Sequence, residues 1–159
     1  MGKTLIVILF AGLVLQCAGQ GRSTPVPPAV SKAFVRQFPA GHLKKWAKKD
    51  EEYIAIFRQK GKKYSAYYGS GGVWDSTESL VKWTWDLPLT VRAGWDHCKY
   101  MDWLILGMKK IETSGRTHYV LHVGQVQSLG PDDADIGSEY ILYFSDKGEL
   151  AVARVPGQG

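Results

Sequence analysis

Three groups of side chains in this 159-residue chain have the composition of a reactive centre. Asp96-His97-Cys98 sets an acid, a base and a nucleophile in a row. Val91, Gly94, Trp95 and Cys98 recur at helical spacing, and on a helix consecutive side chains point about 100° apart. The three groups therefore cannot converge on one substrate atom. Cys98 falls in the apolar stripe, where a free cysteine acts as a small hydrophobe. His118 and His122 are four apart, which suits a metal site on a helix. The stretch Thr117-His-Tyr-Val-Leu-His-Val123 alternates as a strand, however, and a strand would hold the two rings roughly 13 Å apart. Asp132, Asp133 and Asp135 before Gly137 have the outline of a calcium loop, yet Phe144 stands where its bidentate glutamate belongs. A solvated acidic turn is the better reading. Nucleophile elbows, phosphate-cradling loops and paired carboxylates on one element are absent from the sequence. These residues point to no enzyme, no cofactor and no metal site.

The elements that would position such groups are paired strands. Tyr53-Ile-Ala-Ile-Phe-Arg58 runs to a turn at Lys60-Gly61 and returns as Lys63-Tyr-Ser-Ala-Tyr-Tyr68. Thr117 to Val123 leads through a longer loop at 128–137 to Ser138-Glu-Tyr-Ile-Leu-Tyr-Phe144. Period-two alternation with aromatic and β-branched residues predicts antiparallel hairpins. Tyr53, Ala55 and Phe57 share a face with Tyr64, Ala66 and Tyr68; Tyr119, Leu121 and Val123 match Tyr140, Leu142 and Phe144. Polar breaks at Arg58, Ser65, His122 and Glu139 fall on the other face, which fixes the core side. Trp46, Tyr53, Phe57, Tyr64, Tyr119, Leu121 and Phe144 are expected to be largely buried.

Residues 1–19 read as a secretory signal peptide: Lys3, an apolar run too short to span a bilayer, then Cys17-Ala-Gly19. Cleavage after Gly19 leaves Gln20 first; the alternative is lipidation of Cys17, and only then a membrane attachment. Either way the remaining chain carries Cys98 as its one thiol or as one beside a lipidated cysteine, so export does not rest on an internal disulfide. The net charge of +5 falls to about +4 without Lys3, a mild value. Basic residues crowd into Lys44, Lys45, Lys48, Lys49, Lys60, Lys62 and Lys63. They suit an anionic envelope component as partner, or simply protect a sheet edge from pairing, which is the reading preferred here. Nucleic acid is not an expected partner of an exported chain.

Beyond a lead at 20–25, one unit is written twice, at 26–85 and 86–155, with a tail at 156–159; 26–155 forms one domain. Each unit reads as a helix followed by a four-strand meander. Helices are expected at 27–38, stopped by Pro39 and Gly41, and from Asp86-Leu-Pro88, with Asp86 as N-cap, to about Lys99. Val30 and Ala33-Phe34 correspond to Val91 and Gly94-Trp95. Val26-Pro27, Phe34, Phe38-Pro39, Trp46, Tyr53-Ile-Ala-Ile-Phe57, Gly61-Lys62-Lys63-Tyr64 and Gly72-Val-Trp74 resemble the PepSY-like, β-lactamase-inhibitor-like repeats of secreted bacterial proteins. The second unit is looser but keeps Leu87-Pro88, Tyr119, Tyr140, Phe144 and Asp146-Lys-Gly148. The resemblance implies an α+β fold: two tandem helix-plus-four-strand repeats forming one antiparallel sheet, both helices on one face, the other face open and concave. It also implies binding, and inhibition, of another protein.

A sheet covered on one side normally shows polar residues on the other. Here Ile54, Ile56, Tyr67, Val120, Ile141 and Tyr143 point outward, mixed with Arg58, Ser65, His122 and Glu139. Apolar and aromatic anchors rimmed by polar groups are the anatomy of a protein-binding surface. The expected contact residues are Ile54, Ile56, Tyr67, His122, Ile141 and Tyr143, with Tyr67 and Tyr143 at the centre. The bland alternatives are β-propensity alone or cover by the 128–137 loop. The expected function is a non-enzymatic secreted or periplasmic binding module for an unidentified protein; the alternative is a lipid-anchored envelope scaffold.

Overall fold

A computed structural model describes residues 24–128 and 134–154. The signal-peptide and Cys17 readings, Asp132 and Asp133, and the 156–159 tail lie outside the described residues. The element order is α1 (Pro28–Gln37), β1 (His42–Lys49), β2 (Glu52–Gln59), β3 (Lys62–Tyr68), β4 (Trp74–Leu80), a 3-10 turn (Thr84–Asp86), α2 (Leu89–Asp96), β5 (Leu104–Thr113), β6 (Arg116–Ser128), β7 (Ala134–Ser145) and β8 (Leu150–Arg154). The strands form one antiparallel sheet in the order β1 to β8, each beside its neighbour in sequence. The fold is α+β, as expected.

Register places the core. Phe57 pairs with Tyr64, Tyr64 with Ser79, Ser79 with Lys110, Lys110 with Tyr119 and Tyr119 with Phe144, so all six share one face. Val30, Ala33 and Phe34 of α1 bury against Ala55, Phe57, Ala66 and Tyr68. Val91 and Trp95 of α2 bury against Met108, Tyr119, Leu121, Val123, Leu142 and Phe144. Both helices therefore cover the same face, above two apolar clusters. Phe34 meets Phe57 edge-on at 5.1 Å and Trp46 at 5.7 Å, a geometry aromatic quadrupoles favour.

Four expectations need correction. Trp46, Tyr53 and Tyr64 are half-buried. Trp46 lies on edge strand β1, and Tyr53 and Tyr64 flank the patch that α1 covers, with Lys48 over the Tyr53 ring at 5.4 Å. Asp86 does not cap α2; it ends the 3-10 turn, and Pro88 takes the N-cap position without a side-chain bond. The helix stops at Asp96, not near Lys99, and His97 Nδ1 donates to the Ala93 carbonyl at 2.7 Å. Strand pairing extends into the stretch read as loop, as far as Ser128 and Ala134. Val126 pairs with Ile136, Gln127 with Asp135 and Ser128 with Ala134, because backbone pairing resumes beyond a bulge between Gly124 and Val126.

Candidate protein-binding face

Three cross-strand rows make up the middle of the face opposite the helices. Ala47, Ile54, Tyr67, Ser76, Thr113 and Arg116 form one. Ile56, Ser65, Glu78, Ile111, His118 and Ser145 form the next. Leu80, Lys109, Val120, Tyr143 and Ala151 form the third. The six sequence-predicted contact residues all belong to this face, in two groups. Ile54 lies directly opposite Tyr67, with Ile56 two residues along β2. His122 lies opposite Ile141, with Tyr143 two residues along β7.

Tyr67 and Tyr143 are not neighbours. Four strand spacings separate β3 from β7, about 19 Å, and their rows are four residues apart along β4, about 13 Å. On a flattened sheet the separation is therefore roughly 23 Å. The tyrosines mark two ends of a surface, and the first is already engaged. The Tyr67 hydroxyl donates to Glu78 Oε2 at 3.1 Å, and Lys109 Nζ donates to Glu78 Oε1 at 2.7 Å. Burial, then the Glu78 charge, pushes the Tyr67 phenol up to about 12. Tyr143 is 39% exposed.

The second end holds more apolar surface than alternation suggested. Ile105 pairs with Val123 and Met108 with Leu121, both core positions only three residues apart on β5. A bulge between Ile105 and Gly107 absorbs the mismatch and turns Leu106 outward. Leu106 and Ile136 approach each other over Gly124, where a Cβ would meet Ile136 at 2.6 Å and Leu106 at 3.1 Å. Leu106 and Val126 remain 39% and 52% exposed. A glycine inside a strand pattern, Gly107 here, was the available signal for the bulge. Val120, which points to this side, is instead buried. His122 Nε2 pairs with Glu139 Oε2 at 2.5 Å, and this polar pair lies between Tyr143 and Val126 on β6 and β7.

The groups that first suggested chemistry stay apart. His97 is exposed and tied to its own helix, while Cys98 is half-buried against the second cluster. Asp135 accepts the Ile136 N–H at 2.8 Å on a paired strand. Among the described residues no group of three or more His, Cys, Asp or Glu could hold a metal ion. No helix among them is long and apolar enough to cross a membrane.

The fold, one antiparallel sheet with two helices on one side, is shared with a BLIP-like protein of known structure. The particular structures are from Bacteroides. A BLIP-like protein from Bacteroides fragilis matches with a TM-score of 0.73 and 21% identity, over 87% of this chain and 91% of its own. A DUF2874 family protein from Bacteroides ovatus matches with a TM-score of 0.74 and 20% identity, over 86% of this chain and 92% of its own. A proposed periplasmic protein from Bacteroides eggerthii matches with a TM-score of 0.68 and 16% identity, over 83% and 91%. At these identities the likeness is one of fold. No protein-family model matches the sequence, and no curated protein matches it as a relative.

Proposed function

We propose that the protein is an exported, non-enzymatic binding module that engages another protein through the open sheet face. The observation that carries this reading is the exposed apolar surface of Leu106, Val126 and Tyr143, spread along rigid strands β5 to β7, with the His122–Glu139 pair between Val126 and Tyr143. Rigid aromatic anchors lose little entropy on docking and supply much of an interface's energy, while apolar neighbours exclude water around them. The sequence resemblance to β-lactamase-inhibitor-like repeats and the fold of the BLIP-like neighbour support inhibition as the form this binding takes. The signal-like first 19 residues and the fold of the proposed periplasmic neighbour support a periplasmic or secreted location.

The two halves are, in this reading, copies of one unit. Gly72, between β3 and β4, and Gly148, between β7 and β8, both take left-handed φ values, 80° and 83°. Each lies where a Cβ would meet a helix carbonyl, that of Ala29 or of Thr90. Ala29 and Thr90 each stand two residues after the proline that opens their helix. Counting back five residues from each turn glycine reaches Tyr67 and Tyr143. Duplication thus explains why the face carries a tyrosine at both ends.

The test is a titration of the partner against Tyr67→Ala, Tyr143→Ala and the double variant. The double variant should bind at least ~30-fold more weakly, since such anchors cost about 2 kcal/mol or more when truncated. Tyr143→Ala should account for the larger part, because Tyr67 is held by Glu78. Binding of the double variant at wild-type strength refutes the face assignment.

A further inference from the structure

We infer that one corner of the open face is a binding cleft for a phosphate-bearing anion, made by Lys44, Lys45, Arg58 and Lys63 around Ile56. These residues line a cleft of about 500 Å³ at the ends of β1, β2 and β3. No carboxylate lines it, and among the described residues none of the four cations forms an ion pair. Arg58 and Lys63 lie directly opposite each other in the β2–β3 ladder. Like charges facing across an antiparallel pair destabilise it, so the fold carries a cost here that no ion pair among the described residues offsets. A bulge between Leu43 and Lys45 breaks the alternation on β1 and brings two consecutive lysines to the same cleft.

Protection of a sheet edge does not account for this arrangement. Lysines on edge strand β1 would serve that purpose, but Arg58 and Lys63 sit on interior strands β2 and β3. A bound anion does account for it. A phosphate monoester carries roughly −1.5 to −2 charge at neutral pH, and a guanidinium takes its oxygens bidentately. The volume falls within the ~300–1,000 Å³ usual for small-ligand sites. Ile56 gives the cleft an apolar floor for the organic part of the ligand. The headgroup of an anionic envelope lipid and a soluble phosphate ester share this chemistry. The cleft shares Ile56 with the open face, but none of its four cations lies at Tyr143, so pyrophosphate binding tests this inference separately from the protein-binding reading.

The test is calorimetric titration with inorganic pyrophosphate at about 20 mM salt, where charges interact over roughly 20 Å. Alongside it runs co-sedimentation with phosphatidylcholine vesicles with and without phosphatidylglycerol. Arg58→Gln/Lys63→Gln should weaken pyrophosphate binding at least ~10-fold, with a melting temperature equal to or above that of the wild type. Lys82→Gln/Lys147→Gln, the same change in net charge placed elsewhere, should shift it less than ~2-fold. Lys44→Gln/Lys45→Gln on the edge strand provides the same reading should the interior pair disturb folding. Vesicle binding lost in the cleft variants identifies a lipid headgroup as the source; pyrophosphate binding without vesicle binding identifies a soluble ester. Absence of pyrophosphate binding by the wild type overturns the inference, whatever the vesicles do. Equal loss in cleft and control variants overturns it as well.

Discussion

Replacing Gly72 with alanine tests the packing of α1 on the sheet. Gly72 has a φ of +80°, which costs an L-residue about 1–2 kcal/mol. The added Cβ would also lie 2.6 Å from the Ala29 carbonyl oxygen, a main-chain atom that cannot rotate away. Relieving that overlap by shifting α1 from Val30 and Phe34's seat costs a further 1–3 kcal/mol or so. Gly72→Ala should therefore lose about 2–5 kcal/mol in urea denaturation at unchanged m-value, with a midpoint roughly 10 °C lower on heating. Gly61 is the control. Its φ is +76°, but nothing lies within 4 Å of its Cβ position, so Gly61→Ala should lose only the conformational part, about 1–2 kcal/mol. Gly148→Ala should behave like Gly72→Ala, because its Cβ would meet the Thr90 carbonyl of α2. If Gly72→Ala costs no more than Gly61→Ala, the close approach of turn and helix is not what holds that layer together.

Further outcomes can be checked one by one. Phe57→Ala removes a fully buried ring packed on Phe34 and Phe38, and should cost about 3–5 kcal/mol in the same denaturation assay. Burial pushes Tyr67 and Tyr68 up to about 12, so the folded chain keeps these protons after the unfolded chain has released them above pH 10.0. Stability should be complete below that pH and fall as pH rises from 10.0 towards 12; Glu78→Gln should lower the Tyr67 midpoint in a spectrophotometric titration. Intact mass of protein from its native host distinguishes removal of Cys17 with the signal peptide, which leaves a Gln20 start, from lipidation at Cys17, which adds acyl chains there.

Strand pairing and the core side were legible because two aromatic-rich hairpins carry their polar breaks, Arg58, Ser65, His122 and Glu139, only at alternate positions on one face. Ala55, Phe57, Leu121, Leu142 and Phe144 are all buried as that alternation requires. Bulges break the same logic by one residue. Leu106 was unreadable as an outward residue, and the paired residues 124–128 and 134–137 looked like loop, since bulges are set by pairing across strands and not by local pattern. Half-burial of Trp46 depends on β1 being an edge, a property of the whole sheet. The Tyr67–Glu78–Lys109 chain joins β3, β4 and β5, and the β4–β5 register that brings it together is written in no single segment. The separation of Tyr67 from Tyr143 has the same origin.

The claim that the open face binds a protein is tested most directly by photo-cross-linking in the native host. A photoreactive phenylalanine analogue is placed at Tyr143 in one strain and at Val35 in another. Val35 is 63% exposed on α1, on the helix-covered side of the sheet. The account predicts a discrete protein adduct from position 143 and none from position 35. An adduct from position 35 alone, or from neither position, would contradict it.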